Sequence, residues 1–287
     1  MGNTLIHYCK YGIEKQALKL LNDKYKYKYK YLEKVDKYLQ KVDKNNKTAL
    51  IYACENRLES VALKILENPY ICNINHISYN NTTLMIACKN KLEKVALKIL
   101  CSKENCNINH TNNDGDNVLM IACKNNLEKV ILKLLDKRND YYDCKFDVKH
   151  SNNYGNTLLI LSIINNMEYI SYKLLENIYE CNIKKINIDG DTALTLSCYQ
   201  KMIKIILKIL NHPKRCNMKN VNKKGDTAFI IACRNNLECV ILKMLNNINY
   251  CNIDHKDNYG KTAIYYIYEN KLKKVILKLE SLNINYI

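Results

Sequence analysis

Three cysteine–histidine pairs come nearest to a reactive or metal-binding arrangement: Cys72–His76, Cys106–His110 and Cys251–His255, each separated by three residues. A thiolate and an imidazole at that spacing can supply two of the four ligands of a structural zinc site. These cysteines recur along the chain, however, as does a second column formed by Cys9, Cys54, Cys88, Cys123, Cys198 and Cys233. A free thiol is a small apolar group suited to tight core positions. Packing therefore accounts for both columns, and no metal is expected. Fourteen cysteines without an evident pairing scheme imply reduced thiols in a reducing compartment. The sequence has no G-x-S-x-G, no phosphate-cradling glycine loop, no H-E-x-x-H and no single histidine set beside a nucleophile. No enzymatic activity and no cofactor are expected.

The formal net charge is +17, and of 45 basic residues only Arg57, Arg138, Arg215 and Arg234 are arginine. Nucleic-acid readers exploit the planar fork of arginine. Here lysine rises together with Asn, Ile and Tyr, all encoded by A/T-rich codons, which is the compositional explanation for the charge. One basic feature is regular: Lys19, Lys64, Lys98, Lys133, Lys173, Lys208, Lys243 and Lys278. It reads either as a track for a polyanion or as a solubilising edge offset by Glu59, Glu93, Glu128, Glu168 and Glu238. A strict Lys–Tyr alternation from Lys24 to Tyr31 could stack on single-stranded nucleic acid. Repeat slippage giving a solvated insertion or an extended helix explains it equally, because Leu32, Val35 and Leu39 continue at helical spacing. No apolar run approaches the roughly 18 residues of a membrane span, and no secretory leader is visible. Met1-Gly2 lacks the Ser or Thr of a myristoylation signal, with Ile6 in that place. An intracellular, cytoplasmic protein is expected.

These features sit on a repeat. Anchors at Asn3, Thr48, Thr82, Asn117, Thr157, Thr192, Thr227 and Thr262 are 45, 34, 35, 40, 35, 35 and 35 residues apart. Each copy predicts two short helices. The first carries a large apolar residue two places after the anchor (Leu50, Leu84, Leu119, Leu159, Leu194, Phe229, Ile264), followed in most copies by a small one: Ala53, Ala87, Ala122, Ser162, Ser197, Ala232. The second is amphipathic, as in Leu58, Val61, Ala62, Ile65 and Leu66. Neither can bury its stripe alone, and stacked copies would share one core. Two residues before the anchor stand Gly115, Gly155, Gly190, Gly225 and Gly260, or Asn46 and Asn80. Glycine and asparagine tolerate positive φ best, so a tight hairpin turn is predicted there. Insertions break the period near 24–40 and 136–145. The last copy, with Ile267 and Tyr268 in the small-residue slots and Glu280 in place of Leu, reads as a cap.

The stretch Cys251 to Thr262 resembles the finger of an ankyrin repeat, with Asp257, Gly260 and Thr262 at the family's D-x-x-G-x-T positions. The following TAIYYIYENKLKKVILKLE is similar to that family's T-P-L-H-x-A-A and V-x-x-L-L helices. The chain departs from the family in lacking Pro after the anchor, the first-helix His and, in most copies, the Gly-His turn between the helices. Its style is similar to the A/T-rich ankyrin proteins of giant DNA viruses of amoebae and of protists. The resemblance implies an all-α ankyrin-repeat helical solenoid with short β-hairpin fingers, about eight repeats spanning 1–287 as one domain. It also places Cys72, Cys106 and Cys251 where the family has a small buried Ala.

Ankyrin proteins meet partners on a concave side built from finger tips and the ends of the first helices. By alignment that surface comprises Tyr79, Asp114, Tyr154, Asp189, Lys224 and Tyr259 from the fingers, with Glu55, Lys89, Lys124, Ile164, Tyr199, Arg234 and Glu269 from the helices. Tyr and Arg anchors among mixed charges suit a protein partner. The expectation is a monomeric, non-catalytic scaffold binding an unidentified protein on the concave face. The alternative is a binder of nucleic acid or an acidic membrane surface through Lys64, Lys98, Lys133, Lys173, Lys208 and Lys243.

Overall fold

The computed structural model describes residues 2–25, 40–67, 72–102, 107–136, 147–177 and 181–284. Most of the Lys–Tyr alternation, the Leu32–Val35–Leu39 pattern, Cys106 and the insertion over 137–145 lie outside them. The chain divides into two compact units, Met1–Asp147 and Val148–Ile287.

The first unit holds α1 (Gly2–Lys10), α2 (Glu14–Tyr25), α3 (Ala49–Glu55), α4 (Glu59–Ile65), β1 (Ile77–Ser78), β2 (Asn81–Thr82), α5 (Thr83–Lys89), α6 (Glu93–Leu100), α7 (Val118–Lys124) and α8 (Glu128–Leu135). The second holds α9 (Leu158–Ile164), α10 (Glu168–Leu174), α11 (Ala193–Tyr199), α12 (Ile203–Leu210), α13 (Ala228–Arg234), α14 (Glu238–Leu245), α15 (Ala263–Glu269) and α16 (Lys273–Ser281), with 3-10 turns at Leu175–Asn177 and Ile248–Tyr250. Within each unit first helices stack on first helices (α1, α3, α5, α7; then α9, α11, α13, α15) and second helices on second helices. Most are only seven or eight residues long, too short to persist alone in water. Stacking supplies the stability. Leu50, Ile51, Ala53 and Cys54 of α3 and Val61, Ala62 and Ile65 of α4 are buried, as are their counterparts in every later repeat but the last, where Tyr265, Tyr268 and Ile276 are half-buried. Burial of each Leu or Ile contributes about 1.5–3 kcal/mol.

Seven of the eight anchors of the repeat are N-caps, while Asn3 lies within α1. The side-chain oxygens of Thr48, Thr82, Asn117, Thr157, Thr192, Thr227 and Thr262 each accept the backbone N–H three residues on, satisfying a donor the first turn leaves unpaired. The first helix ends in a Schellman turn. In the second repeat Arg57 N–H bonds Cys54 O at 3.3 Å and Leu58 N–H bonds Ala53 O at 2.8 Å. The left-handed residue of this turn is Gly12 in the first copy and Arg57, Lys91, Asn126, Asn166, Lys201, Asn236 and Lys271 in the others. The missing Gly-His turn is thus a change of residue type at a turn whose backbone keeps the same left-handed position.

The fingers turn where the glycines predict. Asn46, Asn80, Gly115, Gly155, Gly190, Gly225 and Gly260 all have positive φ. Among the described residues only β1 and β2 form a paired ladder, Ile77 with Thr82 and Ser78 with Asn81, because Tyr79 and Asn80 both at positive φ make the two-residue hairpin turn that matches strand twist. Three other fingers close with single bridges, Ser151–Thr157, Val221–Thr227 and Lys256–Thr262. Asp43, Asn112, Asn152, Asn187, Asn222 and Asp257 hold these turns, each Oδ1 accepting the N–H groups two and four residues on. Successive fingers then touch: Ile188 N–H donates to Tyr154 O and Lys223 N–H to Asp189 O, both at 2.9 Å.

Two outcomes follow for stability. A Cβ at Gly190 would come within 2.9 Å of the Asn222 Cα, whereas one at Gly260 meets nothing within 4 Å. Gly260→Ala should cost about 1–2 kcal/mol from the left-handed backbone alone, and Gly190→Ala at least about 1 kcal/mol more; equal losses in urea unfolding would contradict the finger contact. Lys201→Gly removes a Cβ from a left-handed position (φ +55°) and should raise stability by about 1 kcal/mol in the same assay.

Candidate functional site

The cysteine–histidine pairs separate in space by role. Cys72 and Cys251 are buried. The partner histidines turn to the preceding finger: Nε2 of His76, His110 and His255 lies 2.9, 3.1 and 2.9 Å from the backbone oxygens of Asn46, Asn80 and Gly225. A carbonyl can only accept, so Nε2 carries the proton. Asn220 does the same for Gly190 O at 2.7 Å. The first-helix thiols Cys9, Cys54, Cys88, Cys123, Cys198 and Cys233 are likewise buried. Burial pushes Cys9, Cys88 and Cys123 up to about 12, which keeps them as unreactive thiols. Among the described residues no three His, Cys, Asp or Glu gather as metal ligands.

The finger-and-first-helix face of the second unit is built over buried carboxylates, of which only Asp257 stands out in the sequence, as part of its finger motif. Asp191, Asp226 and Asp257 are all buried. Asp226 accepts the Tyr199 hydroxyl at 2.5 Å and pairs with Arg234; Arg234 also reaches Asp257 at 3.8 Å. Asp257 accepts the Tyr266 hydroxyl at 2.7 Å. Asn222 Nδ2 donates to Asp191 at 2.8 Å and to Tyr199 Oη at 3.2 Å. Burial first, then the bond to Asp226, pushes the Tyr199 hydroxyl far up; burial and Asp257 push Tyr266 up to about 12. For Asp257 burial acts upward most strongly. The bonds from Tyr266, Lys261 N–H and Tyr259 N–H, with the Arg234 charge, outweigh it and hold the carboxyl below its usual range.

Of the residues expected to meet a partner, Tyr199 and Arg234 are therefore half-buried and engaged within the fold, while Tyr154, Ile164, Asp189, Lys224 and Tyr259 are exposed. Tyr259 stands out at 79 % exposure, with Tyr154 at 46 % and Ile164 at 40 %. Lys224 lies 5.2 Å from the centre of the Tyr199 ring. In the first unit Tyr79, Lys89 and Asp114 are exposed, whereas Lys124 pairs with Asp116 at 2.5 Å and Glu55 with Lys47 at 2.8 Å. Glu269 pairs with Lys261 at 3.7 Å. One signal in the sequence marks these engaged positions: an oppositely charged residue eight places earlier, as in Lys47/Glu55, Asp116/Lys124, Asp226/Arg234 and Lys261/Glu269. Lys89 and Ile164 follow Asn81 and Asn156 instead.

On the second helices the lysine column is exposed at Lys19, Lys98 and Lys173 and half-buried at Lys64, Lys133, Lys208, Lys243 and Lys278. Two of the acids expected to offset it act elsewhere. Glu59 pairs with Lys94 at 3.8 Å and Glu93 with Lys129 at 3.6 Å, each on the next repeat. Lys64 and Lys173 instead meet Glu67 and Glu176 one turn away, at 2.8 and 3.2 Å. Lys208 sits 3.6 Å above the Tyr172 ring.

The family profile described as "Ankyrin repeats (3 copies)" matches residues 62–145. The crystal structure of the ankyrin repeat domain of Bcl-3, described as a unique member of the IkappaB protein family, superposes with a TM-score of 0.56 at 14 % identity, covering 82 % of this chain and all of that one. The fold is the ankyrin-repeat fold. No curated protein sequence matches the chain. Among the described residues no helix is long and apolar enough to cross a membrane. Ankyrin repeats in general mediate contacts between proteins, and the face just described is the one their fingers and first helices present.

The depressed carboxyl of Asp257 gives this ankyrin array a pH dependence. A carboxyl held low in the folded state stabilises it above the unfolded value of about 3.9, and that contribution is lost as pH falls through the folded value. Asn222 occupies the equivalent finger position, so Asp257→Asn should still fold. Its stability should decline less steeply than wild type when urea midpoints are followed from about pH 5 downward; parallel profiles would remove Asp257 as a contributor.

Proposed function

We propose that the protein is a non-catalytic adaptor that binds another protein through the finger-and-first-helix face of the second unit. The observation that carries this reading is the exposure of Tyr154, Ile164 and Tyr259 on the fingers and first helix of the unit whose Tyr199 and Arg234 are fixed from beneath by buried carboxylates. Exposed aromatic and apolar anchors next to ordered tyrosine and arginine, ringed by Asp189 and Lys224, have the composition of an interface centre with a polar rim. Preordering Tyr199 and Arg234 lowers the entropy cost of binding. Tyr79, Lys89, Asp114 and Lys124 are the corresponding positions of the first unit and extend the same reading to it.

The second reading, a polyanion bound along Lys64, Lys98, Lys133, Lys173, Lys208 and Lys243, has one observation in its favour: Glu59 and Glu93 spend their charge on Lys94 and Lys129 and leave the column to local acids.

Affinity capture separates the two. The triple variant Tyr154→Ala/Ile164→Ala/Tyr259→Ala leaves Tyr199, Arg234 and the carboxylates that hold them in place, unlike a change at Tyr199. Capture of the protein partner should fall at least about thirtyfold, the equivalent of one interface hot spot of about 2 kcal/mol, with the helical circular dichroism unchanged. Undiminished capture by the triple variant, lost instead on Lys→Gln changes in the column, would favour the polyanion.

A further inference from the structure

The first unit carries a basic–aromatic cluster that the protein-binding reading of the second unit does not use. Tyr52, 5 % exposed, is a fixed ring whose hydroxyl donates to Asp43 at 2.8 Å. Two ammonium groups approach this ring, Lys10 Nζ at 5.8 Å and Lys47 Nζ at 5.2 Å from its centre. Each ammonium also approaches a second ring that stands in solvent. Lys10 lies 5.7 Å from Tyr11, 62 % exposed, and Lys47 lies 5.0 Å from Tyr79, 69 % exposed. The His7 ring leans on Tyr11 at 4.7 Å.

Tyr11, Lys10, Tyr52, Lys47 and Tyr79 thus form a chain of alternating rings and cations linking the end of α1 to the first two fingers. The two acids within it are turned inward or occupied. Asp43 accepts the Tyr52 hydroxyl and the N–H groups of Asn45 and Lys47, and Glu55 is paired with Lys47. Lys10 and the exposed Lys44 carry the outward charge. Solvated aromatic faces spaced among cations form the arrangement that binds unpaired bases by stacking and their phosphates by charge. A duplex keeps its bases stacked on one another and leaves those ring faces unused.

We propose that this cluster is a binding site for single-stranded nucleic acid, with Tyr11 and Tyr79 as stacking platforms and Lys10 and Lys44 as phosphate contacts. It shares Tyr79 with the first-unit positions of the protein-binding reading and is otherwise separate from the face of the second unit.

The test is fluorescence anisotropy of the full chain with a dye-labelled oligo(dT) of about 15 nucleotides, at about 50 and 200 mM salt. Tyr11→Ser/Tyr79→Asn removes both platforms; Asn suits the left-handed backbone of Tyr79, φ +47°. This variant should lose at least about tenfold in affinity at both salts. Tyr11→Phe/Tyr79→Phe, which keeps the rings, should retain wild-type affinity, as should Tyr259→Ala on the other unit. A duplex of equal length should bind at least about tenfold more weakly than the single strand. Absence of binding at the lower salt would overturn the proposal. So would a Ser/Asn variant within about twofold of wild type with its helical signal intact, or a duplex bound as tightly as the single strand, the signature of charge alone.

Discussion

The structure depends on how one repeat's finger closes against the next. A left-handed residue stands at each hairpin tip, and for four of the tips the following repeat takes up its carbonyl. His76, His110, Asn220 and His255 supply the donors for Asn46, Asn80, Gly190 and Gly225. In the second unit backbone N–H groups add further bonds, Ile188 to Tyr154 and Lys223 to Asp189. These contacts fix the spacing of the fingers, and the spacing sets how closely the first helices pack. Alanine, serine and cysteine fill most of the facing positions, and Ile163 and Ile267 are the buried exceptions.

Because helices of seven or eight residues do not persist alone, every stabilising contact of consequence is either within a helix pair or between neighbouring repeats. This explains the economy of the polar groups. The Thr or Asn anchors cap the first helices, the Asp or Asn of each finger holds its turn, and the cysteines fill space. Asn56, Asn235 and Asn270 reach back to the carbonyl of Cys9, Cys198 and Cys233. Residue types that suggest metal chemistry in sequence are, in the folded chain, a core filler and a clasp.

Charge is handled differently on the two faces. On the finger side, opposite charges eight residues apart fold back on each other, and in the second unit the acids sink below tyrosine and arginine. On the second helices, lysine and glutamate meet across repeats or one turn apart, largely in solvent, where each pair contributes about 1 kcal/mol or less. The finger-side pairs therefore shape the surface, whereas the helix-side pairs mainly keep it soluble. In the first unit Lys10 and Lys47 are held against tyrosine rings, giving that end a character distinct from the mixed, carboxylate-backed face of the second unit.

The sequence by itself determined the repeat, the helix pairs, the turn positions and the buried columns, because each follows from local rules: apolar spacing, glycine's tolerance of positive φ, and the recurrence of small residues. By resemblance it also named the residues of each repeat that would face a partner. Which of them remain available was decided by tertiary structure. Tyr199 lies one finger away in sequence from the Asp226 that holds it, and Arg234 is shared between two fingers; neither partnership is visible until the repeats stack. The pairing of Glu59 with Lys94 rather than with the lysine column is another such outcome. Side-chain partnerships between repeats depend on distances of a few ångströms across an interface that the backbone must first build, and a one-dimensional pattern carries spacing along the chain but not across it.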